Sequence, residues 1–444
     1  MSLETLIADY QAKTPRSRAL FEEAQRVLPG GNTRTTIFID PYPFYAVRGA
    51  GAWIWDADGH ERLDFNGNYT SLILGHAPPA VVAAVRELAD RGLSFPGPSE
   101  HELRLAQELT RRVPSCEQVR FANSGTEATM LAIRGARAFT GRPKIAKFEG
   151  SYHGTHDWVQ VSIAPPAEGA GSRKRPKPVA AGAGIPPAVL KHVVVLPWNE
   201  PGAAVQAIEK NARDLACVIL EPVQGAAGVI PPVEGLLQAI REVTAKHGIV
   251  LIFDEVITFR LGPGGAQALM GVTPDMTTFG KIIGGGLAVG AFGGRADVMA
   301  VFDPRGGKPR VAQGGTFNAN PLTMAAGLAT LTALTPEVYA QLDRLGESLR
   351  EKLRALFRTR KVRAQVTGVG SLFCLHWTPK RVVDYRSSRP TDADRPLRAY
   401  VGLLNEGVLL SQRGMGCVSA SMAEAEVDRF VDALGKVLDA EERR

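Results

Sequence analysis

The chain is poor in the features that would place it in several common classes. Only four cysteines occur in 444 residues, Cys116, Cys217, Cys374 and Cys417. None sits in a C-x-x-C or other metal-type spacing, so neither a disulfide framework nor a cysteine metal site is expected. No apolar run reaches the ~18 residues of a membrane span. The N-terminus, "MSLETLIADYQAKTPRS", has early acidic residues and lacks the long apolar core of a secretory signal. These absences point to reduced thiols and a cytoplasmic protein with no membrane partner. Aromatic residues make up 7% of the chain. They do not interleave with the one dense basic run, "RKRPKP", Arg173 to Pro178. The net charge of +7 therefore does not lead to a nucleic-acid surface. The run lies in a Pro/Gly/Ala-rich stretch over 164–187 and reads as a solvated loop. Charge is also scarce between Asp275 and Arg295, where Lys281 is the only ionisable side chain.

What the chain does have is a globular composition, 45% hydrophobic and 22% charged, with 47 glycines for tight turns. From about residue 100 helix and strand signals alternate. "QVRFANSG" reads as a strand, "TEATMLAIRGARAFTG" as an Ala-rich helix stopped at Gly141, and "KIAKFEG" and "LACVILEP" as strands. "LLQAIREVTAKHG" is amphipathic, with Leu236, Ile240 and Val243 on one face, and "IVLIFDE" is the continuous apolar run of a strand buried on both sides. Repeated β-α-β units predict an α/β fold with a mostly parallel sheet covered by helices. The first 30 residues read as helical, and strands around turns follow in "YAVRGAGAWIWDADGHERLDF". After residue 320, long helices and short strands suggest a smaller α+β domain. The expected division is an N-terminal segment, 1–65, packing with the small domain; a large α/β domain, 66–322; and a small C-terminal domain, 323–444.

Five stretches carry chemistry. In "NSGTEA", Ser124 and Glu127 have capping-box spacing, and Gly125 lets the backbone approach a ligand; a helix N-terminus here binds phosphate or is a plain cap. "FEGSYHG" offers Tyr152 as an aromatic platform for a flat ring, or an ordinary loop tyrosine. Asp254 ends the buried strand, where ligands of open α/β sheets bind, and can hold a cation. Lys281, in "TTFGKIIGGG", sits among small and apolar residues that lower an amine's pKa. The P-loop spacing G-x-x-x-x-G-K-[ST] is absent. Thr316, in "GGTFNANP", is a second phosphate contact or a turn. A phosphate cradle, an aromatic ring, a carboxylate for a cation and an imine-forming lysine are together what pyridoxal 5'-phosphate (PLP) requires.

"NSGTEA", "YHG", "EPVQG", "DEV", "FGKIIGGG" and "GGTF" stand in the order found in class III (ω-type) aminotransferases, which the chain resembles over nearly its whole length. The resemblance implies PLP fold type I and a homodimer with active sites at the subunit interface. It makes Lys281 the internal aldimine lysine and Asp254 the pyridinium partner. Ser124, Gly125 and Thr126 then hold the phosphate, Tyr152 and Val256 cover the two ring faces, and Thr316 reaches the neighbouring subunit's phosphate. Gln224 is assigned to the ring hydroxyl or the substrate side. Arg34 before "DPYPF", "DEVITFRLGPGG", "FGGRADVM" and "SQRG" are most similar to β-amino-acid aminotransferases that accept aromatic β-amino acids such as β-phenylalanine. There one of Arg34 and Arg413 would clamp the carboxylate of the amino donor and the other that of the keto-acid acceptor, such as 2-oxoglutarate or pyruvate, and Tyr69 would line the pocket. The alternatives are glutamate-1-semialdehyde 2,1-aminomutase, another ω-transaminase, or a PLP-binding protein without catalysis.

Overall fold

The structure, a computed structural model, describes residues 2–442. Seven strands form its central sheet: β1 (Gln118–Ala122), β2 (Lys144–Phe148), β3 (Val193–Leu196), β4 (Leu215–Leu220), β5 (Val250–Asp254), β6 (Met276–Gly280) and β7 (Gly290–Gly294). Their order is β1-β7-β6-β5-β4-β2-β3. All neighbours pair in parallel except β7, which runs antiparallel to β6 and β1. The α/β expectation holds, and the apolar runs explain it. β4 and β5 are buried at every position. Their side chains alternate between two cores: Ile219 and Ile252 face one with Leu131 and Ile133 of the helix Gly125–Thr140. Val218, Leu251 and Phe253 face the other, with Leu236 and Ile240 of the helix Leu236–Lys246. Each such aliphatic side chain contributes about 1.5–3 kcal/mol by leaving water.

Two smaller sheets flank this body. Gln365–Val369, Leu372–His376 and Met415–Cys417 form one. In the other, Ala46–Ala50, Trp53–Asp56 and Glu61–Asp64 are joined by Val408–Leu409, which pairs in parallel with Glu61–Asp64. Leu6 and Tyr10 share a core with Tyr400, Val401 and Leu404. The two ends of the chain are therefore built into each other. The N-terminal helical stretch is split into Leu3–Lys13 and Pro15–Ala24, because proline begins a helix more readily than it continues one.

A helix from Pro321 to Ala333 runs through position 322/323 and packs on the helices Pro79–Ala89 and Glu100–Arg112 and on the turn Lys281–Gly284. A side chain at Gly327 would place its Cβ 2.0 Å from the Ile283 carbonyl oxygen, so the lysine loop rests directly on this helix. The basic stretch over 164–187 is less free than its composition suggests. It contains the hairpin Gly171–Ser172/Arg175–Pro176; Arg173 Nε donates to Asp384 at 2.6 Å, and Arg386 donates to the Gly171 carbonyl at 2.8 Å. Lys174 stays exposed.

Candidate active site

The central sheet places five loops at the C-terminal edge of its parallel strands, after β1, β2, β4, β5 and β6. β5 ends in two acids that do different work. Glu255 is buried and fully engaged: it accepts from the Ala266 and Gln267 amides at 2.8 and 2.9 Å and from Thr258 Oγ1 at 2.7 Å. Asp254 is 4% exposed. Its Oδ1 accepts from Thr278 Oγ1 at 3.0 Å and Val256 N at 3.2 Å; its Oδ2 lies 2.7 Å from His153 Nδ1. A carboxylate only accepts, so the imidazole donates from Nδ1. Burial pulls the His153 pKa down while Asp254 opposes it. His153 Nε2 is buried without a hydrogen-bond partner. Asp254 is thus an oriented anion with capacity left for a cationic N–H.

Thr278 is the register partner of Asp254 on β6, and Lys281 follows three residues on, just past the strand's end. Its backbone is left-handed, φ 51°. Lys281 is part-buried, and burial lowers its pKa while the charges of Asp254 and Glu221 pull the other way. Glu221 is itself buried. It accepts from Tyr152 N and Gly225 N at 3.0 Å each, yet burial, and then the charge of Asp254, push it up to about 8.

The loop after β1 opens the helix Gly125–Thr140. Ser124 Oγ accepts from Glu127 N at 3.2 Å as the cap, while Glu127 Oε2 accepts at 2.6 Å from the amide of Asn123, one residue before the N-cap amide that a capping box would use. A helix's first amides have no intrahelical acceptor, and here they belong to Gly125 and Thr126. A Cβ at Gly125 and one at Gly280 would each lie 3.2 Å from Val256 Cγ1. Val256 therefore bridges the helix start and the lysine strand. Thr155 N donates to Thr126 Oγ1 at 3.2 Å, which ties the tyrosine loop to the same helix start. Tyr152 is 41% exposed, and burial followed by Asp254 raises its phenol pKa.

The Aminotransferase class-III family model matches residues 39–438. The chain belongs to the class III aminotransferases. It is similar to an omega-transaminase from Sphaerobacter thermophilus, at 50% identity and a TM-score of 0.91, over 95% of this chain and 97% of that one. It is 43% identical to the beta-phenylalanine transaminase of Variovorax paradoxus over 428 residues, 96% of this chain and 93% of the relative. It is 42% identical over 426 residues to the glutamate-1-semialdehyde 2,1-aminomutase of Methanothermobacter thermautotrophicus, 95% of this chain and 99% of that protein.

This aminotransferase is an enzyme of PLP fold type I and uses PLP. The residues present fit the cofactor. The helix start with Ser124 and Thr126 suits the phosphate. Asp254 suits the ring nitrogen, Tyr152 and Val256 suit the faces, and Lys281 suits the aldehyde carbon. Gln224 is placed differently from the rest. Its Nε2 donates to the Glu149 carbonyl at 2.8 Å and to Ser151 Oγ at 2.9 Å, while Oε1 is buried without a partner. Its amino group supports the tyrosine loop from behind. Behind that loop, buried Lys147 also donates to the Ser151 and Val161 carbonyls at 3.0 and 2.6 Å, and burial lowers its pKa to about 7.

The substrate-side candidates sit on exposed loops. Arg34 is exposed, and its Nη1 donates to Asn68 Oδ1 at 2.8 Å. Tyr69 donates its hydroxyl to the Thr36 carbonyl. Arg413 is exposed and close enough to Tyr385 to lower that phenol's pKa, although burial makes the net shift upward. Thr316 is exposed next to Phe317, itself 61% exposed. Sequence reasoning passed over His153, Thr278 and Glu221 as site members. Their signal was faint: a histidine beside the platform tyrosine, a hydroxyl before the lysine and an acid at the end of a buried strand. It also passed over Asn68 and Arg260. Arg260 is fully buried and joins three segments of the chain: Nη1 donates to the Thr70 carbonyl at 2.9 Å, Nη2 to that of Val418 at 2.5 Å and Nε to Ser371 Oγ at 2.9 Å.

Proposed function

We propose that this enzyme takes the amino group of an aromatic β-amino acid, with β-phenylalanine as the type, and passes it to a keto acid such as 2-oxoglutarate or pyruvate. The observation that carries this reading is the Arg34 guanidinium held by Asn68 beside Tyr69. That arrangement suits a carboxylate clamp next to an aromatic side chain, on a chain 43% identical to a beta-phenylalanine transaminase. Arg413, from the other chain end, takes the acceptor's carboxylate.

Bound PLP supplies an electrophilic carbon for the amine and an electron sink for the carbanion. Lys281 Nζ, made less basic by burial, takes the proton from the substrate carbon that bears nitrogen and delivers it to the cofactor side. Asp254 would face the ring nitrogen, and His153 and Thr278 hold Asp254 in place. Ser124, Gly125 and Thr126 would hold the phosphate, and Tyr152 and Val256 would hold the ring between them. Gln224 acts through the loop it supports. The keto acid repeats the sequence in reverse, so the two half-reactions give ping-pong kinetics. The working unit is a homodimer in which Thr316 reaches the neighbouring subunit's phosphate; exposed Phe317, Leu287 and Leu93 supply apolar area for that contact.

The second reading is glutamate-1-semialdehyde aminomutase, which uses the same machinery without an external acceptor and is favoured by the 42% identical relative. Parallel assays separate the two. β-Phenylalanine with 2-oxoglutarate should yield glutamate; turnover of glutamate-1-semialdehyde alone, with no reaction of β-phenylalanine, overturns the assignment.

A further inference from the structure

Between Asn66 and Ser71 the backbone coils with the opposite hand to an ordinary helix. Gly67, Asn68, Tyr69 and Thr70 have φ of 53°, 46°, 55° and 73°. Asparagine tolerates this region, but tyrosine and β-branched threonine rarely enter it. Such a turn persists only where its surroundings impose it, and strained segments of this kind gather at functional sites. The imposing contacts are all present. Asp64 Oδ1 accepts from the Asn66 and Gly67 amides at 2.8 and 2.9 Å. Asn66 Oδ1 accepts from Tyr69 N at 2.6 Å. From beneath, buried Arg260 donates to the Thr70 carbonyl at 2.9 Å. The turn's two outward contacts both reach residues 34–36: Asn68 Oδ1 to Arg34, and the Tyr69 hydroxyl to the Thr36 carbonyl.

We propose that Asn68 is a positioning residue that orders the Arg34 guanidinium for a substrate carboxylate, and that the left-handed turn is the device that sets it there. This rests on the reading of Arg34 as the donor's carboxylate clamp. A free arginine at the surface is spread over many rotamers and loses them on binding. Held through Nη1, Arg34 is ordered beforehand. Among the described residues its Nε and Nη2 have no protein partner, so that edge of the fork is left for two parallel bonds to a carboxylate. The neutral amide matters. An aspartate here would pair with the guanidinium and compete with the substrate.

The test uses the holoenzyme with β-phenylalanine as donor and 3-phenylpropanoate as a competitive inhibitor that has the carboxylate and lacks the amine. Asn68→Gly keeps the positive φ and removes only the amide. It should raise KM and the inhibitor's Ki about fivefold, with the change carried in KM rather than kcat. Asn68→Asp preserves shape and should raise both further, which keeps the test alive if glycine loosens the turn. Arg34→Ala should raise both about thirtyfold, and R34A/N68G should be no worse than Arg34→Ala alone. If Arg34→Ala behaves this way while KM and Ki are unchanged in Asn68→Gly and Asn68→Asp, the positioning role is overturned and the Arg34 reading stands. An additive double variant also overturns it. Unchanged Ki in Arg34→Ala overturns both.

Discussion

The residues assigned to the cofactor and those assigned to the substrate are held by different means. On the sheet side, Asp254 is buried at a strand end and takes three donors, and Lys281 leaves the next strand over a helix pressed against its loop. On the loop side, Arg34 and Arg413 are exposed; Arg34 has a single side-chain partner among the described residues, on a backbone turn of unfavourable hand. Moving an atom of the first side disturbs the core of a seven-stranded sheet. Moving one of the second disturbs a surface loop. On the proposed assignment, the groups assigned to the reaction sit where the fold resists change, and those assigned to substrate choice sit where it tolerates change. Arg260 joins the sides, because the loop that follows Asp254 carries the guanidinium that holds Thr70 and Val418.

The largest effect expected is on the sheet side. Lys281→Ala removes the amine that moves the proton, and turnover should fall at least about a thousandfold, measured as single-turnover rates with wild-type and variant holoenzyme. Next comes the strut. Arg260→Met leaves two buried carbonyls without their donor and should cost about 3 kcal/mol in denaturant unfolding. It should also raise KM for β-phenylalanine while PLP binding, followed by absorbance, is retained; equal damage to both would erase the contrast between the sides. Arg413→Ala should raise the acceptor's KM about tenfold and the donor's less, as initial-rate kinetics will show. The smallest effect is on pH dependence. Burial lowers the pKa of His156 and His376 to about 4. A depressed histidine leaves stability intact above its ordinary value near 6.5 and removes it as pH falls towards 4. The unfolding midpoint should decline over that window, and H156Q or H376Q should flatten the decline.

What could be read from the sequence follows the same division. The buried run "IVLIFDE", the cap in "NSGTEA" and the lone lysine of "TTFGKIIGGG" are local patterns with local causes, and each lies on the element expected of it. The His153–Asp254 pair joins residues 101 apart, and no local pattern announces such a contact. The left-handed course of "GNYT" has no pattern to announce it, and one of its contacts comes from Arg260, 190 residues from Thr70. The Arg173 tether to Asp384 is equally remote, 211 residues on, so composition alone portrayed that loop as free.

The central claim is that Lys281, at the end of β6, is the residue that carries PLP. The protein has another lysine whose pKa burial lowers, the buried Lys147 on β2. Borohydride reduction of the holoenzyme followed by peptide mapping distinguishes them. The label should fall on the peptide containing Lys281; label on Lys147 or on any other lysine would contradict the account.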